Sequence, residues 1–165
     1  MAPPQLYLDQ NYLSGMVKRK AAFVELEPVL RDAVRRGAVA VPESAAHRLE
    51  SGRRPDLPLL KLLRELSGGA RLPDEPGPPE LNVERRLARF AAEHFPDRRG
   101  RPSDAVDLRA LAIALPRCAL VACDSFMADV IKRAGLDRRF GGEVFGGRRA
   151  DVQRLAARLG ELAGD

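Results

Sequence analysis

Tryptophan is absent, and two tyrosines and six phenylalanines supply all the aromatic surface, 5% of 165 residues. So few rings leave little material for the base-stacking platforms of single-strand-binding modules. Cysteine and histidine occur twice each, too few for a disulfide scaffold or a zinc ribbon. Cys118 and Cys123 lie five apart across an apolar run that reads as a strand. Odd spacing sends strand side chains to opposite faces, so no bridge between them is expected. Long apolar runs are missing too: none approaches the 18 or so residues of a membrane span. The opening stretch MAPPQLYLDQ also lacks the basic-then-apolar order of an export signal. The expectation is a cytoplasmic, reduced chain with no membrane partner.

What remains fits one domain over residues 1–165, long enough to bury its own core without a staple. Lys+Arg 28 against Asp+Glu 23 gives +5 and a pI near 9.8, which suits anionic partners. The basic residues come as arginine pairs: Arg35-Arg36, Arg53-Arg54, Arg98-Arg99, Arg138-Arg139 and Arg148-Arg149. Bidentate phosphate contact is one account of them. The other is the Arg, Ala, Gly and Pro bias of a GC-rich coding sequence, since net charge speaks to encounter and solubility rather than to fold.

Apolar runs at residues 6–8 and 38–41 read as buried strands, joined by a helical repeat over residues 17–36 that stops at Gly37. Strand, helix, strand of that length makes parallel neighbours, an α/β beginning. Helices are expected over residues 43–51, 57–66, 81–95, 103–115, 125–134 and 150–162, with a Gly/Pro-rich loop over 67–79. The stretch 119–123 is the clearest strand, and 143–145 reads as an edge strand between glycine pairs.

Acidic residues gather where such a sheet binds ligands, beyond the carboxyl ends of its strands. Asp9 follows the first strand, and Asp124 follows the run 119–123. Asp104 and Asp107 share a face at the start of the apolar helix, and Glu50 sits on the short helix entered after residue 41. Grouped carboxylates repel one another unless protons or a cation intervene, and hard oxygen ligands suit Mg²⁺ or Mn²⁺. Each also has a plainer role. Asp104 and Asp124 can cap helices, Asp107 can favour a helix dipole, and Glu50 can be a solvated charge.

The series LYLDQN, VPESAAHRLE and SDAVDLRALAIALPRCALVACD resembles PIN-like nuclease domains of the bacterial toxin type, over nearly the whole chain. It carries Asp-x-Asn after a strand, a Glu in an early helix, and an Asp seventeen residues before a strand-terminal Asp, here Asp107 and Asp124. The resemblance implies a three-layer α/β/α sandwich with a mainly parallel sheet of four or five strands. It also implies an endoribonuclease acting on single-stranded RNA, with Mg²⁺ or Mn²⁺ held by Asp9, Glu50, Asp107 and Asp124, and Asp104 as a secondary ligand. Asn11 would orient Asp9, and Ser125 would supply a hydroxyl that such domains often place near the last acid, where this chain has Cys123. His47, on the face of Glu50, reads as a structural residue or as a phosphate contact. Arg53 and Arg54 are the favoured RNA contacts. An inhibitory partner protein and a homodimer stay open, as does a PIN-like module that binds nucleic acid or protein without cutting. A doubly wound phosphatase would want Asp-x-Asp where Asp9-Gln10-Asn11 stands, and no Gly-rich nucleotide loop follows a strand.

Overall fold

The computed structural model describes residues 1–164. Three short strands, β1 (Leu6–Leu8), β2 (Leu120–Ala122) and β3 (Glu143–Phe145), form a parallel sheet in the order β1-β2-β3. Leu8, Ala122 and Phe145 stand in register. Side chains alternate between the faces. Leu6, Leu8, Leu120, Ala122 and Phe145 join one apolar cluster, while Tyr7, Val121 and Val144 join the other. Both faces are thus covered, which explains why these strands read as unbroken apolar runs.

On the first face lie α1 (Gln10–Val17), α2 (Ala21–Arg35), α4 (Leu59–Ser67) and α9 (Arg149–Gly164); on the second lie α5 (Pro78–His94), α6 (Asp104–Ala114), α7 (Ser125–Arg133) and α8 (Leu136–Phe140). The short α3 (Ala45–Arg53) contacts α4 and α6. No helix among the described residues is long and apolar enough to cross a membrane.

Several expectations need correction. The helix foreseen over residues 17–36 is α2, which starts at Ala21; an unforeseen helix, α1, precedes it, and the chain breaks between the two where Arg19 takes a left-handed conformation with φ 53°. Helix α1 starts directly after Asp9. Phe23 of α2 packs on Gly15 of α1, where a Cβ would come within 2.6 Å of the ring, so only glycine admits this contact. The sheet has three strands, not four or five. In the run 38–41 only Ala40 pairs, as a single parallel bridge to Gln5, because Gly37 and the N–H-less Pro42 bound the segment closely. Helix α5 begins at Pro78, inside the foreseen loop, and α8 was not foreseen. Both cysteines are free, as expected, but for a different reason: each belongs to the second cluster, and Cys118 precedes the strand rather than alternating along it.

Candidate functional site

Asp9 and Asp124 stand at the carboxyl edge of the sheet, each in extended backbone between a strand and a helix. Asp9 Oδ1 accepts the Tyr12 amide at 3.1 Å and Asp124 Oδ1 accepts the Met127 amide at 2.8 Å, so both cap a helix. The Asp9 amide bonds Ala122 O at 2.9 Å, which draws the two loops together. A second pair of acids comes from α3 and α6. Glu50 and Asp107 approach within hydrogen-bonding reach, a contact that forms when Glu50 keeps its proton and donates to the Asp107 carboxylate.

Burial pushes the Asp9 carboxyl well above the usual range, and the Asp124 and Asp107 charges push it further, against the Tyr12 amide. Glu50 is raised by burial and then by Asp107; Asp107 is raised by burial and then by Asp124. The four acids therefore share one electrostatic environment. Among the described residues none of them forms an ion pair, whereas Glu43, Glu80, Asp104 and Asp151 each have an arginine partner. In donor chemistry the set fits a hard divalent cation. As placed, no three His, Cys, Asp or Glu side chains among the described residues close around one point. Binding there needs rotamer changes, including release of the Glu50–Asp107 contact.

The remaining candidates separate. Asp104, whose charge also reaches Asp107, differs from the four in being paired. It is the first residue of α6, and it takes a forked bond from Arg98 at 2.7 and 3.3 Å and the Arg101 amide at 2.8 Å. The Arg98 bond holds its carboxyl below the ordinary value. His47 is buried and structural in its contacts. Its Nε2 donates to Leu8 O at 2.5 Å and its Nδ1 accepts the Ser44 amide at 2.9 Å, closing a capping box that ties α3 to β1. Asn11 is exposed and makes no hydrogen bond to Asp9 among the described residues: its amide nitrogen lies where a Cβ on Gly147 would be only 2.8 Å off, and Ser125 Oγ is 3.8 Å from the same point. Arg53 ends α3, and its charge works on Glu50 in the sense that favours ionisation; Arg54 is the exposed C-cap.

Two residues of this region carry no motif. Tyr7 lies buried beneath the acids, its phenol held neutral first by burial and then by Asp9, Glu50 and Asp107. Arg98 feels Asp124 and Asp107 as well as its partner Asp104. Strand alternation could have found Tyr7, since it faces away from Leu6 and Leu8; Arg98, in a polar turn, had no such signal. Gln10, between Asp9 and Asn11, buries both amide atoms without a partner. Comparison with protein-family models, with curated proteins and with solved structures gave no match in any of the three.

Proposed function

We propose that this protein is a metal-dependent phosphodiesterase of the PIN-like kind, an endoribonuclease on single-stranded RNA with Mg²⁺ or Mn²⁺ as cofactor. The observation that carries the reading is the contrast in charge pairing. Asp9, Glu50, Asp107 and Asp124 come from four separate segments, feel one another's charge and have no ion-pair partner among the described residues, while Glu43, Glu80, Asp104 and Asp151 each have an arginine. Uncompensated carboxylates cost stability unless something positive joins them. The finer fold reading is a three-layer α/β/α sandwich, its sheet extended at one edge by the Gln5–Ala40 bridge.

A divalent ion bound by these acids would polarise the scissile phosphate and lower the pKa of an attacking water. The chain's own part is positional. Asp9 and Asp124 are fixed by their caps, so their orientation is set before anything binds. Asp107 and Glu50 give up their shared proton, and Arg53 and Arg54 offer charge to the sugar-phosphate backbone beside Glu50. Asn11 and Ser125 line the mouth beside Gly147. A second reading, RNA binding without cleavage, is favoured by the thiol of Cys123 where the family often has a hydroxyl.

The test is Mn²⁺-dependent cleavage of single-stranded RNA beside melting curves for the parent, Asp107→Asn and Asp104→Asn. Binding of the ion to the native state alone, at one hundred times its dissociation constant, stabilises by about 2.7 kcal/mol. The expected result is a melting shift and cleavage in the parent, both lost in Asp107→Asn, with the melting shift retained in Asp104→Asn. Normal cleavage by Asp107→Asn would overturn the site; a Mn²⁺ shift with no cleavage by the parent would favour the binding module.

A further inference from the structure

Two clefts of equal size flank α6, each of about 370 Å³. One runs between α3 and α6. Asp74, Glu75 and Glu84 line it together with Arg109, which pairs with Glu84, and no aromatic ring does. The other lies between the end of α5, the turn that follows and the start of α7, and its lining is of a different kind. Phe95, Arg98, Leu108, Phe126 and Met127 form it, and Asp104 closes one side.

The aromatic groups here are ordered against one another. Phe95 and Phe126 meet edge to face with centroids 5.2 Å apart, and the Arg98 guanidinium lies 3.7 Å over the Phe126 ring. Asp104 holds that guanidinium by its fork, so its plane is fixed rather than mobile. Arg133 lies 5.2 Å over the Phe95 ring. Arg99 and Arg101, in the same turn, are exposed and make no ion pair among the described residues. Phe95 and Phe126 are only partly buried, so much of a ring pair in a protein with few rings faces a cleft. Phe126 is also two residues from Asp124, and Arg98 feels the Asp107 and Asp124 charges, so the cleft adjoins the acids.

We propose that this cleft seats one nucleobase of a single-stranded RNA whose backbone runs past the acids. The inference rests on the proposed function and adds a substrate subsite to it. A base has flat apolar faces that stack on Phe rings and on a guanidinium plane, while its phosphates are drawn to unpaired arginines at the rim. Rings, fixed guanidinium and free positive charge occur together here. Asp104 then acts as a positioning residue for Arg98 rather than as a metal ligand.

Fluorescence anisotropy of the metal-free protein with a labelled hexauridylate, and with an abasic ribose-phosphate oligomer of the same length, tests this. Phe126→Leu keeps the apolar volume and removes the ring, and Arg98→Lys keeps the charge and removes the plane. Loss of one stacked base weakens binding by roughly tenfold or more, so both variants should bind hexauridylate that much more weakly. Their affinity for the abasic oligomer and their Mn²⁺ melting shift should match the parent's. Hexauridylate binding unchanged in both variants, or abasic binding reduced as much as hexauridylate binding, overturns the subsite while leaving the acids to their own test. A parent that fails to bind hexauridylate overturns it as well, as would a cleft that takes a peptide side chain instead. Absence of a Mn²⁺ shift with the tenfold loss present would remove the catalytic reading and keep the subsite.

Discussion

His47 makes the stability of this fold depend on pH in a way that can be separated from the acids beside it. The ring is 1% exposed, between Tyr7, whose ring centroid is 5.4 Å away, and the Ser44 cap. Both nitrogens are engaged in the neutral form, Nε2 as donor and Nδ1 as acceptor, so a second proton has no place to point. Burial drives the pKa from 6.5 down to about 4, with Arg48 adding to the fall and the Leu8 carbonyl and Glu43 opposing it. A folded-state value below the unfolded one means full stability above pH 6.5 and progressive loss as pH falls toward 4. At pH 5 the unfolded chain is almost fully protonated at this residue and the native one is not, which costs about 2 kcal/mol at 1.36 kcal/mol per pKa unit. Glu50 and Asp107 act with the opposite sign in the same interval, so the total profile would hide the effect. Their contribution cancels in the difference between the parent and His47→Gln, which cannot titrate. Urea unfolding of both metal-free proteins at pH 8 and pH 5, followed by circular dichroism, measures that difference. The parent should be more stable by about 1–3 kcal/mol at pH 8, for the buried hydrogen bonds Gln fails to replace. At pH 5 that advantage should shrink by about 2 kcal/mol. An advantage equal at the two pH values would show that His47 is not held neutral, and the capping geometry would be wrong.

Three further outcomes follow from the same contacts. Glu50, pushed up to about 7 by burial and then by Asp107, makes ionisation costlier in the folded state, so this contribution is full at low pH and lost as pH rises through 7. Glu50→Gln in the metal-free protein should then be more stable than the parent at pH 8, by about 1–3 kcal/mol in urea titration; a less stable variant would refute the buried pair. Gly15→Ala should drive the Phe23 ring from its seat, with a loss of about 1–3 kcal/mol visible as an earlier melt, because the added Cβ would lie 2.6 Å from the ring. Asp104→Asn should cost about 1 kcal/mol through the Arg98 fork without altering the Mn²⁺ melting shift; a lost shift would make Asp104 a ligand.

Much of the frame could be read from the order of residues, and the misses have physical causes. The run ALVAC is apolar at every position because both faces of β2 are covered, and its end fixed Asp124 beside the site. Asp9 was placed correctly at a strand end, yet α1 went unseen because QNYLSGMV opens with two polar amides and holds a glycine. That glycine weakens helical propensity but is needed for Phe23. Val39 and Val41 earn their apolar character in the core, so the run looks like a strand although its backbone pairs at Ala40 alone. Helix α8 is five residues between Gly135 and Gly141, both left-handed, too short for periodicity to register. In the site, the four acids were each visible. The Glu50–Asp107 contact was not, since it depends on how α3 meets α6 rather than on spacing. The pairing of Asp104 was not visible either, because its one-turn offset from Asp107 says nothing of Arg98, six residues before it.

The double duty of Asp9 and Asp124 bears on how this chain tolerates change over generations. Each carboxylate opens a helix as well as facing the mouth of the site, so alanine at either position forfeits a cap worth about 1 kcal/mol whatever happens to the chemistry. Asparagine or serine would keep the cap. Glu50 and Asp107 cap nothing, and burial makes ionisation costly at each. If the proposed cleavage were no longer selected in a descendant lineage, positions 50 and 107 should drift first, toward amides or apolar residues that bury no charge. Positions 9 and 124 should stay within Asp, Asn, Ser and Thr. Loss of activity in such a lineage would be recorded in the helices before it reached the strand ends.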